Sequence, residues 1–307
     1  MEFFCNDCPR SCGVLRSDDT ATGFCGCYSL PTVVRAAPHF GEEPCISGVR
    51  GSGAVFFSGC NLKCVFCQNS EISRAPSGRR VDAEELADIF LTLQDKGVHN
   101  INLVTGTHFT RVIKRALEIA KPEVPVVWNS SGYEKTETLR MLEGLVDIYM
   151  PDYKYSDGAL AKRYSMAEDY PEIAEKAIKE MYRQTGPFEL DGEGMLKKGV
   201  IIRHLILPGQ IENSMNAIDF AAEEFPRGSV MFSLMSQFTP MNKLDSFPEI
   251  NRRVDRESAE LLYDYMLKRH IEDGYWQEPE AAGTEMIPDF DLTGVEKIRN
   301  PEFGIRN

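Results

Sequence analysis

From residue 52 onward, short runs rich in β-branched and aromatic residues alternate with segments of helical periodicity. "AVFFSG" (54–59), "NINLVTG" (100–106), "VPVVWNSSG" (124–132), "VDIYMPDYK" (146–154), "GVIIRHLILPG" (199–209) and "SVMFSLMSQF" (229–238) read as strands. The clearest intervening helix is "VDAEELADIFLTLQDKG": Asp82 as N-cap with Glu85 three residues on, Leu86, Ile89, Phe90 and Leu93 on one face, and Gly97 at the stop. "FTRVIKRALEIAK", "KTETLRMLEG", a longer section over 157–186 and a stripe of Ile218, Ala221, Ala222 and Phe225 supply further helices, and 187–199 reads as a loop. Strands separated by helices are the pattern of parallel βα units, in either a partial (β/α)6 barrel or an open doubly wound sheet, and periodicity does not choose between them. A chain of 307 residues suits one such domain with an appendage.

The appendage is amino-terminal. Residues 1 to about 30 have little apolar periodicity but five of the nine cysteines: Cys5, Cys8, Cys12, Cys25 and Cys27. So short a segment needs a metal or the main domain to order it. Cys5, Cys8, Cys12 and Cys25 offer a closed set of four thiolates, suited to structural zinc or an iron–sulfur cluster, with the no-metal alternative also open. Cys27 reads as a spare thiol and Cys45 as a packed small residue. "MEFFCNDCPR" has no basic start or apolar stretch of a signal peptide, and no apolar run approaches the ~18 residues of a membrane helix, so a cytoplasmic protein with reduced cysteines is expected. The net charge of −13 argues against a nucleic-acid partner. Around the next cysteines, however, Arg50, Lys63, Arg74, Arg79 and Arg80 face only Glu71, which reads as a solvated loop or a docking patch for an acidic electron donor.

Those cysteines stand in "SGCNLKCVFCQN", where Cys60, Cys64 and Cys67 have no fourth cysteine or histidine beside them. Soft thiolates suit iron–sulfur clusters and zinc. Three of them on a four-iron cluster leave one iron open to an exogenous ligand. A zinc knuckle borrowing a distant ligand is the plainer alternative.

The Cys-x3-Cys-x2-Cys spacing, with Phe66 before the last cysteine, resembles the signature of the radical S-adenosylmethionine (SAM) superfamily. "GSGAVFFSGCNLKCVFCQNSEIS", with "NLVTGTH", "VVWNSSGYE", "MPDYKY", "IRHLILPG" and "LMSQFTP", is similar to the pyruvate formate-lyase activating enzyme-like group over nearly the whole chain. The resemblance implies a partial (β/α)6 TIM-like barrel (46–270) behind a cysteine-rich segment (1–45), with an irregular tail (271–307) packing back. It implies a [4Fe–4S] cluster on Cys60, Cys64 and Cys67, whose open iron chelates SAM. Reductive cleavage of SAM then gives a 5′-deoxyadenosyl radical for hydrogen abstraction.

Carried over residue by residue, Phe66 lies near the adenine, and Thr105, Gly106 and Thr107 stand where relatives often have Gly-Gly-Glu. Asn129 and Ser131 face the ribose and carboxylate, Asp152 and Lys154 match an Asp-Leu-Lys-like position, and Arg203 with the turn at Leu207 contacts SAM. Read plainly, Asp152 and Lys154 are an i,i+2 ion pair, Arg203 caps a helix, and His108 and His204 are hydrogen bonders. Relatives that activate glycyl-radical enzymes carry a histidine near the last strand, where this chain has Ser236 and Gln237. The partners implied are an electron donor such as flavodoxin or ferredoxin and a glycyl-radical enzyme, with a small molecule or peptide as the alternative substrate. A non-catalytic iron–sulfur or zinc protein is the alternative of a different class.

Overall fold

A computed structural model describes residues 2–74, 77–241, 244–277 and 287–296. Its strands are β1 (Phe3–Cys5), β2 (Val14–Arg16), β3 (Thr32–His39), β4 (Ser52–Phe57), β5 (Arg79–Arg80), β6 (Ile101–Val104), β7 (Val126–Ser130), β8 (Ile148–Pro151), β9 (Glu189–Leu190), β10 (Leu196–Leu205), β11 (Met231–Met235) and β12 (Gly274–Gln277). β1 and β2 form a separate hairpin; the main sheet runs β12-β11-β10-β8-β7-β6-β4-β3-β5, with β9 beside β10. From β4 to β12 the pairs along this path are parallel, while β3 is antiparallel to β4 and to β5. The edge strands β5 and β12 do not pair with each other, so the sheet stays open. This is the expected mixed α/β fold with a parallel sheet.

The strands form where expected because both of their faces are covered. Every residue of β4, β6, β7 and β8 is buried, as parallel strands flanked by helices require. The helix Ala83–Asp95 starts at Asp82 with a complete capping box. Its Leu86, Ile89, Phe90 and Leu93 are at most 1% exposed, each contributing roughly 1.5–3 kcal/mol by burial. The helical section divides into Gly158–Ser165 and Tyr170–Thr185, and the expected loop 187–199 contains β9 and the start of β10.

Both expected boundaries of the barrel shift outward. β3, assigned to the amino-terminal segment, is a strand of the main sheet, with Val33 and Val34 buried against it. β12, assigned to the tail, is a seventh parallel strand, in register with β11 from Phe232↔Gly274 to Met235↔Gln277. Four residues, "GYWQ", are too short for a strand pattern of their own; the parallel partner creates the strand. Much of the expected tail lies outside the described residues. Within 287–296, Leu292 N–H bonds the Val34 carbonyl at 3.0 Å, and the Thr293 carbonyl accepts from Ala36 N–H at 2.8 Å.

Candidate functional site

At the carboxyl ends of the parallel strands an open cleft of about 250 Å³ is lined by Cys60, Cys64 and Cys67. The cysteine loop continues from β4 and is held from several sides. Leu62 is its fully buried anchor, Val65 N–H bonds the Tyr164 carbonyl at 2.9 Å, and Asn61 Nδ2 bonds the Tyr133 carbonyl at 2.8 Å. Ser165 Oγ approaches Cys64 Sγ at 3.0 Å, and Leu62 N–H approaches Cys60 Sγ at 3.3 Å. Arg10 fastens the amino-terminal unit to this loop, donating from Nε to the Asn61 carbonyl at 2.8 Å.

Burial pushes the Cys60 thiol up and Cys67 up to about 12, each helped by the neighbouring Cys64. Thiols so disposed ionise when a metal supplies the opposing charge. Among the described residues no three His, Cys, Asp or Glu side chains are placed to hold a single metal ion. One tetrahedral ion gathers its thiolates at about 2.3 Å each, whereas a cubane meets each cysteine at a different iron. Three soft donors spread around one cleft, with no fourth cysteine among the described lining residues, fit a [4Fe–4S] cluster better than zinc.

Opposite the thiols lies a buried charge network. Lys154 Nζ donates to Asp152 Oδ2 at 2.5 Å, and Arg203 Nε donates to Asp152 Oδ1 at 3.0 Å. Arg203 also donates to Asn129 Oδ1 at 2.6 Å and to Glu42 Oε2 at 3.1 Å. Burial opposes the ionisation of Asp152, yet Lys154 and Arg203 outweigh it and hold its pKa below the ordinary value. Burial likewise opposes charge on Lys154 and Arg203, and Asp152 first among their partners keeps both protonated.

Of the residues picked from sequence, Phe66, Thr105, Asn129, Ser131, Asp152, Lys154 and Arg203 line the cleft with the three cysteines. Gly106, Thr107 and Leu207 do not. A Cβ on Gly106 would meet Ile113 at 2.7 Å and Trp128 at 3.1 Å, so that residue faces the core. Thr107 gives its hydroxyl to Glu134 Oε1 at 2.8 Å; Glu134 also accepts from Trp128 Nε1 and Ser130 Oγ, and it clamps the end of β7. Leu207 is 1% exposed and packs in the core. Phe66 packs edge-on against Tyr155, Tyr164 and Phe238.

Sequence reasoning missed Glu42 and Glu43. β3 runs against the parallel strands, so the chain leaves it at their amino ends and Glu42 enters the barrel from below. There its Oε1 accepts from Asn102 and Asn129, each at 3.0 Å. Burial raises the pKa of both glutamates, with Arg203 opposing. No local motif marks "GEEPC"; only the antiparallel return of β3 puts it there.

The five basic residues around the cysteine loop do not form one patch. Arg50 sits beside His99 at the amino ends of the strands, Arg79 is held by Glu85, and Arg80 by the Asp18 carbonyl. The histidines are hydrogen bonders. His204 bonds the Tyr153 carbonyl at 2.6 Å and Ser214 Oγ at 2.9 Å, and burial takes its pKa down to about 4. Cys45 is buried, and Cys27 lies fully buried near the Ser58 carbonyl. Cys5, Cys8, Cys12 and Cys25 line one small cavity apart from the cleft. Among the described residues no helix is long and apolar enough to cross a membrane.

The chain is 30% identical over 286 residues to Uncharacterized protein MJ0674 of Methanocaldococcus jannaschii, a match covering 87% of this chain and 75% of that protein. Two solved structures of Streptococcus suis SuiB, bound to its precursor peptide SuiA and bound to S-adenosylmethionine, superpose with TM-scores of 0.49 and 0.46 at 17% identity. Each covers 71% of this chain, which in turn spans 46% and 45% of the SuiB chains. A sequence profile described as the Radical SAM superfamily matches residues 54–221, more than half of the chain and all of the cysteine loop. The protein belongs to the radical SAM superfamily.

Proposed function

We propose that this radical SAM enzyme is of the pyruvate formate-lyase activating enzyme-like type and abstracts a hydrogen atom from a glycine in a partner polypeptide. The observation that carries the SAM-cleaving part is the convergence of Cys60, Cys64 and Cys67 on one open cleft with the charged strand ends. Cys60, Cys64 and Cys67 would hold the [4Fe–4S] cluster, which with SAM supplies one-electron cleavage of a carbon–sulfur bond. The chain's own part is binding and orientation. Phe66 offers an apolar face for a purine, and Asn129, Ser131 and the Asp152–Lys154–Arg203 network offer fixed polar groups for a zwitterion. The aromatic wall behind Phe66 keeps water from that side. The glycine target rests on the resemblance of the strand-end motifs, and the open side of the sheet is where a polypeptide loop would enter.

An acidic one-electron donor, such as flavodoxin or ferredoxin, would dock near Lys63 and Arg74, the basic residues next to the loop. A chain that commits reduced cysteines to an iron–sulfur cluster suits a reducing cytoplasm.

The test is anaerobic. The protein is reconstituted, reduced with dithionite and mixed with SAM, and 5′-deoxyadenosine is measured beside the cluster's EPR spectrum. A SAM-dependent spectral change with deoxyadenosine release supports the reading; a loaded cluster indifferent to SAM overturns it. For the target, a partner enzyme labelled with α-deuterated glycine should pass deuterium into deoxyadenosine and acquire a glycyl-radical signal. Deoxyadenosine formed without deuterium transfer would point to a small molecule or another peptide site.

A further inference from the structure

The second group of soft donors lies in the amino-terminal unit. The β1–β2 hairpin places Cys5 opposite Val14, and the turn between them carries Cys8 and Cys12, closed by Ser11 N–H to the Cys8 carbonyl and Gly13 N–H to the Cys5 carbonyl, both 3.0 Å. Cys25 arrives from the turn bridged by Thr22 and Cys27. All four are free thiols on the wall of one cavity.

Two buried polar side chains line the same cavity with an atom left over. Arg16 is 1% exposed and His108 2%, and neither Arg16 Nε nor His108 Nδ1 has a protein partner. The remaining nitrogens are committed. Arg16 donates to the His108 carbonyl at 2.5 Å and to Cys25 Sγ at 2.7 Å. His108 Nε2 lies 2.9 Å from the Ser58 carbonyl, which can only accept, so the ring proton belongs to Nε2 and Nδ1 is bare.

A buried guanidinium needs an anion. The carboxylate on this wall, Asp7, is taken by Arg111, which donates to it at 2.8 and 2.9 Å. Thiolates are what remains to balance Arg16, and buried thiolates persist when a metal holds them. As at the cleft, no three of these side chains are placed to hold one ion. Four thiols carried on separate turns around one cavity suit a cluster whose ligands each meet a different iron.

We propose that Cys5, Cys8, Cys12 and Cys25 hold a second iron–sulfur cluster, with Arg16 as its buried countercharge. The site adjoins the first. A Cβ on Gly59 would lie 2.1 Å from Cys27 Sγ and 3.0 Å from the Cys25 carbonyl, and Gly59 is followed directly by Cys60. At φ +83° the backbone there also favours glycine. The absent side chain lets the two cysteine segments touch.

The test uses the full chain and needs no SAM cleavage, so its failure is separable from failure of the proposed reaction. A Cys60→Ala/Cys64→Ala/Cys67→Ala variant, reconstituted anaerobically, should keep roughly half of the wild-type iron and acid-labile sulfide, four irons per cluster. Its dithionite-reduced EPR signal should be unchanged by SAM. Cys8→Ala/Cys12→Ala, which leaves only two of the four thiols, should lose that share of iron from protein with the cleft cysteines intact and guards against misfolding of the triple variant. Arg16→Gln should move the reduction potential of the signal downward, because a cation beside the reduced cluster is gone. Absence of iron from the triple variant, an unchanged iron content in Cys8→Ala/Cys12→Ala, or firmly bound zinc in place of iron would each overturn the proposal.

Discussion

The cysteine loop at 60–67 and the amino-terminal unit at 5–25 both present soft ligands, and they are built in opposite ways. The loop leaves a fully buried strand, is pinned by Leu62 and by bonds to Tyr133 and Tyr164, and opens onto a cleft. The amino-terminal unit has two three-residue strands, leaves Phe4 and Leu15 exposed as a cross-strand pair, and buries Cys5, Cys8 and Cys25 on the wall of the cavity that Arg16 lines. A hydrophobic core positions the first set. The second set has almost no core of its own, and its order depends on what the thiols bind and on Arg10's hold on the loop. Placing ligands for an exchangeable molecule and using ligands to fold a segment are different tasks.

Four experiments press on that contrast. The largest effect is expected from Cys64→Ala, which should take deoxyadenosine formation to the no-enzyme background while costing only about 1 kcal/mol of barrel stability, measured by urea unfolding. A collapse of the barrel would show that the loop also needs its metal to fold. Next is Arg203→Met, which leaves Glu42 without its cation and Asp152 with Lys154 alone. A loss of about 3–5 kcal/mol is expected in the apoprotein, and a change under 1 kcal/mol would mean the network serves binding alone. Stripping the metal with a chelator should then raise amide exchange over residues 2–29 by roughly a hundredfold, with β4, β6 and β7 still protected. Equal deprotection of both regions would erase the distinction.

The smallest effect is set by His204. Its folded pKa of about 4 lies below the ordinary value of 6.5, so the unfolded chain binds the proton first as pH falls. The contribution is complete above about pH 6.5 and is lost towards pH 4, the loss by pH 5 amounting to about 2 kcal/mol. Both tryptophans, Trp128 and Trp276, lie in the main sheet, so their fluorescence during urea unfolding at pH 7 and pH 5 reports the barrel and not the amino-terminal unit. His204→Gln should flatten that pH dependence; the buried glutamates, whose pKa values burial raises, stabilise the fold as pH falls and give the opposite slope, so an unchanged loss between pH 7 and pH 5 would overturn the assignment to His204.

What could be read from sequence follows how locally each feature is encoded. The capping box at Asp82 and Glu85, the runs that became β4, β6, β7, β8, β10 and β11, and the spacing of the three cysteines are all written within a dozen residues. β12 was missed because its pairing with β11 is its only signal. Gly106, Thr107 and Leu207 follow residues that do reach the cleft, but the turn after each strand carries them into the core, and sequence does not show where the turn falls. Glu42 was invisible because its role depends on the direction of β3, a property of the whole sheet.

The position of Glu42 bears on how far this protein can be divided. A polypeptide begun at residue 46 would still contain the three loop cysteines and every strand-end motif. It would lack β3, which covers the flank of β4, and it would lack the carboxylate that holds Arg203 from beneath. The span that identifies the family is therefore smaller than the span that can stand alone. The chain ahead of the barrel is part of the wall of its cavity, and trimming to the recognisable core would remove that wall.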